Sequence, residues 1–128
     1  MNAGGLTPEQ VGRVVALAMD LAREGDTKQL GEFIDHGLPV NVTDPAGNTL
    51  LMLAAYHGHA ETVRDLLARG ADPNLRNARD QAPIAGALFK GEDEVVTVLR
   101  QAGADLDAGT PSARVAAVMF GREYLLGE

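Results

Sequence analysis

Apolar residues along the chain return on a fixed step. Leu30, Val63 and Val96 lie 33 residues apart, and so do Phe33, Leu66 and Leu99. Their local spacing is that of a helix face, as in Val63, Leu66 and Leu67. Two glycine combs keep the same step, Gly25, Gly58 and Gly91 on one side and Gly37, Gly70 and Gly103 on the other, and Asn41, Asn74 and Asp107 follow it too. The second comb comes directly after apolar helical runs, where a chain leaves a helix in a left-handed conformation that glycine adopts without a Cβ penalty. The first comb falls between two helical stretches only a few residues apart and predicts a tight turn between antiparallel helices. The repeating unit is therefore helix, tight turn, helix and loop. One such unit cannot bury its own apolar face, whereas stacked copies can.

The ends depart from the period. Thr7-Pro8-Glu9-Gln10 combines a capping threonine, proline at the first helical position and glutamine at the third, and predicts a helix to about Glu24. Gly25 and Asp26 turn into a second helix, about Thr27 to His36, completing an N-terminal cap. Thr110-Pro111-Ser112 predicts a last helix through about Glu123, lying over the final repeat with Val115, Val118 and Met119, with too little chain after it for a second helix. The expected division is one domain with a cap at 1–43, repeats at 44–76 and 77–109, and a capping helix at 110–128.

Composition narrows the functional classes. Of the 128 residues 45% are apolar, which excludes a disordered chain, and with only 4% aromatics the core has to be aliphatic. The net charge of −7 argues against binding nucleic acid, which calls for clustered Lys and Arg. The absence of cysteine excludes disulfides and thiolate chemistry. The longest apolar run, Val14 to Met19, stops at Asp20 and is far too short to span a membrane. The opening Met1-Asn2-Ala3-Gly4-Gly5 lacks the features of a secretory signal, so the expected location is cytoplasmic.

Residues Asp44 to Arg76, DPAGNTLLMLAAYHGHAETVRDLLARGADPNLR, closely resemble an ankyrin repeat, whose pattern runs D-x-x-G-x-T-P-L-H-x-A-A-x-x-G-H and then V-x-x-L-L-x-x-G-A-D-x-N. The match takes in Gly47, Thr49, Leu51, Ala54, Ala55, Gly58, His59, Val63, Leu66, Leu67, Gly70, Ala71, Asp72 and Asn74. The next copy is degenerate, with Ala82-Pro83-Ile84-Ala85 in place of T-P-L-H, and recovers at Gly91 and Gly103-Ala104-Asp105. The resemblance implies an all-α ankyrin-repeat solenoid of stacked antiparallel helix pairs with short β-hairpin loops, a monomer that binds another protein. Leu50 and Met52 replace the pattern's Pro and His, which removes its Thr–His hydrogen bonds and predicts modest stability. Arg100 stands at a usual leucine position and is expected to lie over the apolar edge with its head in water.

Candidate chemistry is sparse. His57-Gly58-His59 is a possible metal pair without a third ligand nearby, and His59 reads more simply as the pattern's turn residue. Ser112, the only serine, reads as a helix cap, His36 as a helix C-terminal residue, and Glu92-Asp93-Glu94 as a solvated first turn. No phosphate-binding glycine motif occurs. No catalysis, metal or cofactor is expected.

What the fold does not require points to binding. The resemblance implies a concave face built from each repeat's first helix and the hairpin tips. The two positions before each mid-repeat glycine lie on it: Arg23-Glu24, Tyr56-His57 and Phe89-Lys90, with Arg122-Glu123 as their match in the cap. Tyr56 and Phe89 form an aromatic column flanked by His57 and Lys90, and the tips add Asn48, Arg76, Arg79 and Gln81. An aromatic centre with a polar rim is typical of interface hot spots, and basic neighbours suit an acidic segment of a partner. The alternative is that the two rings simply pack on neighbouring helices. The functional expectation is a protein-interaction module; a regulator or inhibitor of an enzyme or toxin, and a small-ligand binder, are the other classes considered.

Overall fold

The computed structural model describes residues 5–127. Among these residues seven α-helices follow in chain order: α1 Pro8–Glu24, α2 Thr27–Asp35, α3 Leu50–Tyr56, α4 Ala60–Ala68, α5 Pro83–Lys90, α6 Asp93–Gln101 and α7 Ala113–Phe120, then a 3-10 turn at Glu123–Leu126. The first helices stack as α1, α3, α5 and α7, and α2, α4 and α6 form a second layer behind them. The core between the layers is aliphatic, with Met19, Leu30, Leu51, Val63, Leu66, Ile84, Leu88, Val96 and Leu99 almost wholly buried.

Local chemistry explains where the helices begin. The Thr7 hydroxyl accepts from the Gln10 amide at 3.1 Å while the Gln10 side chain accepts from the Thr7 amide at 2.8 Å, a reciprocal cap with Pro8 in the first turn. Asp26, Thr49 and Ser112 cap α2, α3 and α7. Thr49 is buried and spends its hydroxyl on the Met52 amide at 3.1 Å.

Polar side chains tie each repeat to its neighbour. Asn41 accepts from the Asp72 amide at 2.9 Å, and 33 residues on Asn74 accepts from the Asp105 amide at 2.7 Å. Arg69, just past α4, bridges Asp65 of that helix and Asp35 of the repeat before. The Thr27 and Thr62 hydroxyls share a hydrogen bond of 2.7 Å between α2 and α4.

The expected hairpins are reduced to loops closed by a single antiparallel bridge, Thr43 with Thr49, among the described residues. Side chains take over the ladder's work: Asp44 accepts from the amides of Ala46 and Asn48, and Asn77 accepts from those of Arg79 and Gln81. These loops turn on their own Asx side chains, and few backbone groups are left for strand pairing.

The C-terminal cap differs from its sequence expectation. The helix ends at Phe120, not near Glu123, because Gly121 adopts φ 67° and stops it, 30 residues after Gly91 instead of 33. The chain then forms the 3-10 turn, whose Leu126 is buried. Ala113, Ala116 and Ala117 cover the last repeat, while Val115, Val118 and Met119 point outward. Arg100 lies half-buried beside Gly127, and its Nε is buried without a hydrogen bond.

Gly70, just past α4, has φ 94° and open space around the position of a Cβ. Any cost of a side chain there is backbone strain alone. Gly70→Val is expected to lower the unfolding free energy by about 1 kcal/mol or more; unchanged urea melts would show that the left-handed turn is not required.

Candidate functional site

On the α1–α3–α5–α7 side, two adjoining grooves run between the first helices and the loops. One, of about 290 Å³, is lined by Asn48, Met52, Tyr56, His57, Arg79, Gln81 and Pro83 among others. The other, of about 300 Å³, lies between α5 and α7 and is lined by Tyr56, Gln81, Phe89, Thr110, Pro111, Met119 and Phe120 among others. Tyr56, Gln81 and Gly86 belong to both. The first groove exists partly because Gly86 has no side chain: a Cβ there would sit 3.4 Å from the Tyr56 ring.

Tyr56 is 37% exposed and Phe89 is 60% exposed, so neither ring belongs to the core. Tyr56 meets the His57 ring edge-on at 5.6 Å, and the Lys90 ammonium lies 5.1 Å above the Tyr56 ring centre. That cation–π contact orients the tyrosine and keeps a positive charge at the rim. Burial, with His59, Lys90 and Arg23 nearby, holds the His57 pKa below its ordinary value. The positive charge on this face is carried by Lys90 and Arg79.

Seven of the eight residues singled out from sequence gather here. Asn48 and Gln81 are already engaged: the Asn77 side-chain Nδ2 donates to Asn48 Oδ1 at 2.9 Å and to Gln81 Oε1 at 2.7 Å, which fixes the loop wall. Arg76 is the exception. Lys90 lines neither groove but joins this face through the Tyr56 ring, whereas Arg76 lines neither and pairs with Asp80 at 3.3 Å, on its own loop.

Sequence reasoning missed Met119 and Phe120. The Phe120 ring packs edge-on against Phe89 at 5.6 Å, extending the aromatic column into the cap. The place assigned to Arg122-Glu123 belongs to Met119-Phe120, the pair that precedes Gly121. The signal was the Phe120-Gly121 step itself, hidden by the shortened last repeat. Arg122 instead pairs with Asp93.

His59 is a structural residue. Its Nε2 donates to the Arg23 carbonyl at the end of α1, 2.7 Å away. Among the described residues no three His, Asp or Glu side chains gather as a metal site would need, and no helix is long and apolar enough to cross a membrane.

Helix pairs stacked at a constant step, with an open face of first helices and loops, define a repeat protein of the solenoid class. A family model described as ankyrin repeats in three copies matches residues 18–110, and the chain belongs to the ankyrin-repeat family. Such repeats are in general protein–protein interaction modules. The chain is similar to an ankyrin repeat protein of Pseudomonas aeruginosa, 53% identical over 45 residues, 35% of this chain and 26% of that one. It is 44% identical over 70 residues to human oxysterol-binding protein-related protein 1, 53% of this chain and 7% of the relative. It is 35% identical over 86 residues to serine/threonine-protein kinase 12 of Arabidopsis thaliana, 67% of this chain and 19% of the relative. The chain thus matches about a quarter of these relatives' length or less.

Gly86 stands inside α5, where glycine costs helix stability, and its Cβ position has room for a methyl group in ordinary contact. Gly86→Ala is expected to raise the unfolding free energy by about 0.5–1 kcal/mol. A loss of stability in urea melts would mean that Tyr56 is held too firmly against α5 to give.

Proposed function

We propose that the chain is a non-catalytic module that binds another protein through its groove face. The observation that carries this reading is the run of solvent-facing rings, Tyr56, Phe89 and Phe120, along two adjoining grooves. The stack does not need these rings for its core, whereas large rigid side chains give much contact area at little entropic cost. Lys90 and Arg79 on the same face favour an acidic segment of the partner, despite the net charge of −7. Asn48 and Gln81 support the loop wall and contact a partner only with the capacity that Asn77 leaves free.

The test uses the protein that co-purifies with this chain from its native cell. Replacing both Tyr56 and Phe89 by alanine is expected to weaken that complex by about 2 kcal/mol or more, while the melting temperature moves little. Calorimetric titration and thermal melting of the double variant beside the wild type separate the outcomes. Unchanged affinity with a large drop in melting temperature would make the rings structural and place the contact elsewhere.

A further inference from the structure

Each end of the stack exposes apolar residues at places that are buried in the interior repeats, on α1 to either side of the charged Asp20. In each repeat, the residues six and three places before the closing glycine face the next repeat: Met19 and Ala22, Met52 and Ala55, Ala85 and Leu88, all buried. In α7 these places hold Val115 and Val118, which are 51% and 63% exposed. At the other end the relation is reversed. Leu50 and Pro83, eight places before their glycines, are buried against the preceding repeat, whereas Leu17, the matching residue of α1, is 56% exposed. One end thus shows an uncovered forward face and the other an uncovered backward face, and these are the two halves of the contact that α3 and α5 make inside the molecule.

We propose that copies of this chain associate head to tail, α7 of one copy against α1 of the next. Two features of the interior contact point to a second copy as the occupant. The apolar stripes match in kind, Val115 and Val118 against Leu17 and the half-buried Leu21. Each mid-repeat glycine is covered by the side chain that follows the next one, Gly25 by His59, Gly58 by Glu92 and Gly91 by Arg122, and Gly121 alone of this series has nothing over it. In the same register Asp26 of a second copy, the cap of α2, comes to lie over Gly121, near Arg122, which is already paired with Asp93.

The loop layer does not continue. Asp107, which follows Asn41 and Asn74 in register, already accepts from Arg114 at 2.9 Å inside its own chain. The contact is made by helices alone, and it is reversible. It uses different surfaces of each copy, so it extends beyond two chains and leaves the groove face open.

Sedimentation of the full chain from micromolar to millimolar concentration tests this, at about 0.15 M salt to screen repulsion between like-charged copies. The expected weight-average mass rises past that of a dimer. Leu17→Glu and Val118→Glu, both at exposed sites and checked for unchanged helicity and melting, are each expected to stay monomeric. An equimolar mixture of the two restores one intact contact and stops at the dimer. A wild-type chain that stays monomeric throughout overturns the proposal. So does a Leu17→Glu variant that still dimerises, which would mean that α7 pairs with α7 about a twofold axis.

Discussion

The pitch of the stack is set where one repeat's turn meets the next repeat's side chain. A Cβ on Gly25 would lie 2.5 Å from His59, one on Gly58 2.5 Å from Glu92, and one on Gly91 3.1 Å from Arg122. These glycines therefore serve twice. Their positive φ, between 74° and 79°, closes the helix pair, and their missing side chain admits the neighbour. His59 adds a hydrogen bond to the Arg23 carbonyl at the same junction. The first helices can then approach over alanines such as Ala54, Ala87 and Ala117, all fully buried. Each element inherits its place from this contact, the grooves included.

The grooves follow from the same geometry. The residues just before each closing glycine stand at the rim of the first-helix layer, past the last buried turn. Tyr56 and Phe89, two places before their glycines, and Phe120, one place before Gly121, are there because no interior packing claims these positions, and Gly86 leaves space between two of them. Asp44 and Asn77 hold the loops upright as the opposite wall. The face is thus rigid at its base and varied at its rim, which lets one scaffold carry different partners.

Most of the fold was legible because the 33-residue step constrains every interior unit equally. The turns at Gly25, Gly58 and Gly91, the capping box at Thr7 and Gln10, and the aromatic column at Tyr56 and Phe89 all follow from local rules plus that step. The last repeat was misread because a terminal unit has no successor to keep it in step. Gly121 came three residues early, so Phe120 was missed and the outward face of α7 was taken for its inward one. Arg76 was placed on the face by its position in a loop, but it pairs with Asp80 four residues on in the same loop, a choice of side-chain direction that the repeat step does not encode. The hairpins shrank to one bridge because side-chain capping by Asp44 and Asn77 competes with ladder pairing, a contest that sequence pattern leaves open.

The claim that the covered glycines hold the repeats in register is tested most directly by a double-mutant cycle on Gly25→Ala and His59→Ala, read by urea unfolding. The clash between the added methyl group and the His59 ring predicts strong coupling. Gly25→Ala should cost less in the His59→Ala background than in the wild type, by about 1 kcal/mol. Additive costs would show that His59 does not press on Gly25, and that the repeats are held at their spacing by something else.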